Sequence, residues 1–195
     1  MKLIIPDTNI FVRLIWGLKY YERLLGLIEQ EEIKILIHSI IMAEVLSVLL
    51  KAKENELFGK VDRERISLSP DVREEIFEDL RRRMVELKVD VMVIGREEVE
   101  KTIDKVREVC ISAFDALTLV VADIVKPDLI VTDDRLFRNR ASEKGYKVCS
   151  EENLYENWKL LNLKYAKINS SKSTQAKSWN KEIMEKFHTN QFYHP

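Results

Sequence analysis

Residues 2–15, KLIIPDTNIFVRLI, decide the fold. The short apolar run Lys2 to Pro6 reads as a β-strand, and Asp7-Thr8 offers an N-cap for a helix whose apolar face carries Ile10, Phe11, Leu14 and Ile15. A carboxylate therefore sits at the C-terminal edge of a strand. The same order recurs at residues 128–140, DLIVTDDRLFRNR, where a strand over Asp128 to Thr132 leads into the pair Asp133-Asp134 and a further helix. Between these two, Ile33 to His38 predicts a second strand, and Ser39 is placed to cap a long apolar helix reaching about Lys53, with Glu44 in its second turn.

Working outward, a helix is expected over about Leu18 to Gln30. Ser67, Ser69 and Pro70 mark a loop before a helix from Asp71 to Leu87. A strand over Val89 to Ile94, a helix over Glu97 to Val109 and a helix capped by Ser112 that carries Asp115 follow. Tyr146 to Cys149 predicts a last strand and Asn153 to Leu161 a closing helix. Strands alternating with helices at this spacing predict an α/β three-layer sandwich with a mainly parallel central sheet. Ligands in such sheets bind beyond the carboxyl ends of the strands, where Asp7 and Asp133-Asp134 fall.

The chain has 195 residues, enough for one domain of about 150 residues and an appendage. The expected division is a domain over residues 1–161, with a charged, partner-facing insert at about 54–73, and a basic tail over 162–195. Lys and Arg number 32 against 33 Asp and Glu, so bulk charge does not announce a nucleic-acid binder. Six lysines and two glutamates lie between Lys164 and Pro195, which segregates positive charge there. In that tail Ser178 caps a short predicted helix with Trp179, Ile183 and Phe187 on one face, and Phe192 and Tyr193 are candidate base-stacking groups. The longest apolar stretch, Ile35 to Leu50, is broken by His38, Ser39 and Glu44 and falls short of the roughly 20 residues of a membrane span. The two cysteines, Cys110 and Cys149, lack CxxC spacing. No secretory signal is evident, so a reduced, cytoplasmic protein is expected.

Asp7, Glu44, Asp115 and Asp133-Asp134 each lie in or beside an apolar run, where a charged carboxylate is costly without a partner. Glu44 has apolar helical neighbours in Ile40, Ile41, Val48 and Leu49, and its alternative to a cation is a buried ion pair with Arg13 or another basic residue. Several carboxylates without Cys or His favour Mg²⁺ or Mn²⁺ over zinc. Such ions activate water for phosphodiester hydrolysis with little help beyond acids. Neither GxxxxGK[ST] nor GxGxxG occurs, and His38, His188 and His194 have no evident nucleophile beside them. A phosphatase with two acids around its first strand is disfavoured, because the second position is Asn9. Arg135, Arg138 and Arg140 follow the last acid and are candidates for RNA phosphates; an ordinary solvated helix face is the other reading. Asp123, eight residues beyond Asp115, reads as a solvated or capping acid.

The strand ending in Asp7-Thr8-Asn9, the Ser39 to Glu44 helix start, Ala113-Phe114-Asp115-Ala116, and Thr132-Asp133-Asp134 with Phe137 resemble the PIN-domain nucleases over about Lys2 to Leu161. That resemblance implies a metal-dependent ribonuclease cutting single-stranded RNA. It implies metal ligation by Asp7, Glu44, Asp115 and Asp134, with Asp133 in support. It also implies that Thr8, Asn9, Ser39 and Thr132 orient acids or water. Members include the toxins of VapC-like toxin and antitoxin pairs, often homodimers, as well as RNA-processing enzymes, so an antitoxin protein and a second copy are implied partners. The alternative class is a noncatalytic RNA- or protein-binding module on the same scaffold.

Overall fold

The structure, a computed structural model, describes residues 2–17, 21–59 and 68–154. Its elements are β1 (Lys2–Pro6), α1 (Thr8–Ile15), α2 (Tyr21–Glu29), β2 (Ile33–His38), α3 (Ser39–Phe58), α4 (Pro70–Glu86), β3 (Asp90–Met92), α5 (Arg96–Val109), α6 (Ala113–Val125), β4 (Leu129–Val131), α7 (Arg135–Glu143) and β5 (Val148–Cys149). The five strands form one sheet in the order β3-β2-β1-β4-β5, and every pair among them is parallel. The chain winds from the central β1 to one edge and then crosses back to β4. The crevice between β1 and β4 is thus a topological switch point, where α/β sheets of this kind bind ligands.

Consecutive residues of a strand point to opposite faces, and the central strand shows it. Ile4 joins the core formed with α1, α2, α3 and α4, while Ile5 joins the core formed with α5, α6 and α7. Both side chains are shut off from solvent, as a parallel strand covered on both faces requires.

Several element boundaries differ from the sequence expectation for local reasons. Gly17, at φ 67, follows α1, which ends at Ile15, and α2 runs from Tyr21 to Glu29. Helix α3 continues to Phe58, and Glu54, read from sequence as part of a charged insert, is buried on it. Residues 60–67 of that expected insert, and the tail with its predicted helix, lie outside the described residues. The predicted closing helix is described only over residues 151–154. Ser69, read from sequence as part of the loop before the helix, caps α4, with Pro70 in the first turn. Asp123 is not simply solvated; it pairs with Lys105 at 2.9 Å and accepts a hydrogen bond from the Tyr146 hydroxyl. No described helix is long and apolar enough to cross a membrane.

The cap of α3 is His38 rather than Ser39. The Ile41 amide donates to His38 Nδ1 at 3.3 Å, so the ring proton resides on Nε2 and faces Thr118 Oγ1, also at 3.3 Å. Thr118 Oγ1 donates in turn to the Phe114 carbonyl. This chain ties the end of β2 to the first turn of α6 through the interior. Ser39 Oγ instead accepts from the Ile94 amide, holding the segment after β3.

Burial pulls the His38 pKa from 6.5 down to about 4. The folded state therefore binds fewer protons than the unfolded chain, and the stability His38 contributes is present above pH 6.5 and is lost as pH falls toward 4. Over that window the wild type should lose up to roughly 3 kcal/mol more than His38→Asn, which keeps a capping acceptor but does not titrate. Urea unfolding at pH 7 and pH 4 checks this; parallel losses in both proteins would contradict it.

Candidate metal centre

The register of β1 on β4 pairs Pro6 with Val131, so the residues that follow each strand emerge side by side. The Asp7 amide donates to the Val131 carbonyl at 2.9 Å and continues that ladder by one step. Asp7 then caps α1, its Oδ1 accepting from the Ile10 amide at 2.8 Å. Its Oδ2 accepts from the hydroxyl of Thr132. Thr132 is fully buried, and its Oγ1 also accepts from the Asp134 amide at 3.0 Å. One hydroxyl thus joins the first acid to the backbone of the last.

Glu44 and Asp115 relate to this hub through its neighbours. Thr8, next to Asp7, donates from Oγ1 to Glu44 Oε2 at 2.5 Å, which draws α3 to the start of α1. Glu44 is only half-buried, so the apolar surroundings inferred from its helical neighbours are looser than expected, and the threonine takes the place of the anticipated Arg13 partner. Asp134 caps α7 through Oδ1, which accepts from the Phe137 amide at 2.8 Å. Asp115 lies in the first turn of α6, held by the Ser112 hydroxyl on Oδ2 at 2.8 Å. Asp134 is near enough to act on it electrostatically.

Burial raises the Asp7 carboxyl from 3.8 to about 6, against the opposing effect of the Thr132 and Ile10 hydrogen bonds and of Arg13. Asp115 is also raised, first by burial and then by the negative charge of Asp134. Both carboxylates would gain from a cation, and the donors Asp7, Glu44, Asp115 and Asp134 are all hard oxygens. The donor set therefore fits Mg²⁺ or Mn²⁺. Among the described residues no three carboxylate, imidazole or thiol side chains are gathered as tightly as around a bound ion. What joins these acids is the threonine hydrogen bonds and the shared field.

Asp133 lies close enough to Asp7 to push its carboxyl up, but its own oxygens are engaged elsewhere. Its Oδ2 receives the Arg13 guanidinium at 2.6 Å and its Oδ1 the Glu151 amide at 3.0 Å. Arg13 also pairs with Glu151 at 2.9 Å. Sequence reasoning missed Glu151 altogether, although it repeats the strand-then-acid order after β5 and its preceding Ser150 accepts from the Asn153 amide. Of the three basic residues after Asp134, Arg138 donates to the Thr132 carbonyl at 2.8 Å and Arg140 pairs with Glu143 at 3.3 Å. Arg135 is exposed and has no side-chain partner among the described residues. Asn9 is exposed on the first turn of α1.

Residues 4–143 match the family described as the PIN domain. Comparison with curated protein sequences gave no match. Among solved structures, the fold is similar to that of PAE2754 from Pyrobaculum aerophilum, with 18% identity, a TM-score of 0.52, and 82% of this chain and 98% of that one covered. It is also similar to VapBC2 from Rickettsia felis bound to a DNA fragment from their promoter, with 17% identity, a TM-score of 0.52, and coverage of 76% and 98%.

A carboxyl raised to about 6 costs stability once ionised, because the folded state holds a proton that the unfolded chain has released between pH 3.8 and 6. In chelator at pH 7, Asp7→Asn should accordingly be more stable than wild type by roughly 1–3 kcal/mol, and the difference should vanish near pH 4. Denaturant melts at the two pH values read this, and a variant less stable at pH 7 would contradict the account of Asp7.

Proposed function

Because the chain belongs to the PIN-domain family, its match running over residues 4–143, we propose that it is a metal-dependent endoribonuclease hydrolysing phosphodiester bonds of single-stranded RNA. The observation that supports this is the hub at Thr132, which joins Asp7 to the backbone of Asp134 at the switch point of the sheet, with Glu44 bonded to the neighbouring Thr8 and Asp115 within the field of Asp134. Among the described residues no His or Cys accompanies these acids, and Ser112 spends its hydroxyl proton on Asp115, so a route through an activated water suits the chemistry.

Asp7, Glu44, Asp115 and Asp134 are the residues that would hold Mg²⁺ or Mn²⁺. When bound, the ions supply an activated water and charge stabilisation for the leaving oxygen. The protein's part is to fix the acids before substrate arrives. Thr132 and the Ile10 amide lock Asp7, Thr8 locks Glu44, and Ser112 locks Asp115. Arg135, exposed beside Asp134, meets an RNA phosphate, whereas Arg138 keeps the end of β4 in place. Asp133 acts as an anchor: its oxygens serve Arg13 and the Glu151 amide and thereby fasten the chain after β5 across the top of α1. We assign the catalytic unit to residues 1–161 and an accessory role to the basic tail over 162–195.

The likeness to the fold of VapBC2 supports a finer reading, a toxin held inactive by an antitoxin protein and working as a homodimer. Co-expression with the product of a short flanking reading frame separates the two. It abolishes cleavage by a toxin and leaves an RNA-processing enzyme unaffected.

Purified protein should cut single-stranded RNA in Mg²⁺ or Mn²⁺ and stop on chelation. Asp7→Asn, Glu44→Gln, Asp115→Asn and Asp134→Asn should each slow it by about 100-fold or more. Asp133→Asn should retain activity to within about tenfold. Wild-type cleavage rates in Asp7→Asn would overturn the assignment.

A further inference from the structure

Large apolar side chains exposed among the described residues fall into two sets. Val85, Val99 and Ile103 lie on helices that carry none of the proposed ligands, and Leu57 and Phe58 lie more than three turns beyond Glu44 on α3, while Val48, one turn after Glu44, is aliphatic and only 37% exposed. Phe114 and Leu136 are placed differently. Phe114 is 55% exposed and immediately precedes Asp115, and Leu136 is 60% exposed and lies two residues after Asp134. Helices α6 and α7 share one core through Ala116, Leu119, Phe137 and Ala141. The first turn of α6 carries Asp115 and the cap of α7 is Asp134, so each exposed side chain adjoins one of the acids along its own helix.

The backbone beneath Phe114 is pinned. Its carbonyl accepts from Thr118 Oγ1, which contacts buried His38. The turn that carries the ring is therefore braced, and on α7 Arg135, exposed and without a side-chain partner among the described residues, directly precedes Leu136. An aromatic face held beside a phosphodiester-cutting site is suited to one ligand above others, an unstacked nucleobase. Bases of a duplex are already stacked and cannot lie on it, while single-stranded bases offer a free π face.

We propose that Phe114 is the stacking platform for an unpaired base adjoining the scissile phosphate, with Leu136 bordering the same base and Arg135 on the neighbouring phosphate. This rests on the nuclease reading and adds to it a residue that selects single strands. Phe114 touches substrate without holding metal.

The test uses a single-stranded RNA oligonucleotide carrying 2-aminopurine, in Mg²⁺, with Asp7→Asn as background so that the RNA stays intact. Phe114→Ala should weaken binding about tenfold or more and abolish the quenching of 2-aminopurine, while Phe114→Trp retains both. Affinity for Mn²⁺ and for duplex RNA should not change. With Asp7 restored, Phe114→Ala should raise KM by a similar factor. Undiminished single-strand binding in Phe114→Ala overturns the inference, as does an equal loss on duplex. A change confined to self-association would make Phe114 a protein contact instead. If the protein with Asp7 intact cuts RNA and Phe114→Ala has no effect, only this inference falls. If it neither binds nor cuts RNA, the nuclease reading falls with it.

Discussion

The hydrogen bonds at Thr132 Oγ1 are the constraint on which the site depends. One bond goes out to Asp7 at the end of β1, and one comes in from the amide of Asp134 beyond β4. They form only because parallel pairing sets Pro6 opposite Val131 and the Asp7 amide continues the ladder onto the Val131 carbonyl. A slip of one residue would turn every side chain of β1 to the other face. Ile4 and Ile5 would then exchange cores, so burial of apolar surface guards the register that places the acids.

The electrostatics follow from this arrangement. Asp7 is held by a hydroxyl and an amide, which orient it without cancelling its charge, and desolvation still prevails. Asp134 raises Asp115 through its charge. Acids so placed are disfavoured when fully ionised, and a divalent cation would relieve both burdens at once. Adjacent residues can have opposite duties. Asp133 pairs with Arg13 and is tied to the chain at Glu151 while still raising Asp7, whereas Asp134 caps α7 and raises Asp115. Arg13 therefore restrains the acidic end of the sheet structurally, with its charge near enough to Asp7 to lower that carboxyl slightly.

Much of this was legible in the chain. The α/β class, the order of strands and helices and the recurring strand-then-acid pattern were visible because apolar runs and capping residues are local signals. The family match over residues 4–143 agrees with the resemblance seen in the four motifs. Other features depend on tertiary contacts that a linear reading does not contain. His38 rather than Ser39 caps α3, since Thr118, eighty residues away, fixes the ring. Arg13 partners Asp133 and Glu151 instead of Glu44 because α1 runs beneath the chain that follows β5. Glu151 carried a usable signal in Ser150-Glu151 after a short strand, but that strand has only two residues and is easily passed over. The charged run after Lys53 read as a partner-facing insert, yet α3 continues to Phe58 and buries Glu54.

The central claim is that Asp7, Glu44, Asp115 and Asp134 form a single cation-binding pocket. Mn²⁺ titration of the purified protein, followed by isothermal calorimetry together with the electron paramagnetic resonance of the free ion, tests it most directly. The account predicts saturable binding that is weakened alike by Asp7→Asn and Asp115→Asn, although these residues are far apart in the chain, and that is unchanged by Asp133→Asn. Binding that survives both substitutions, or the absence of saturable binding in the unaltered protein, would contradict it.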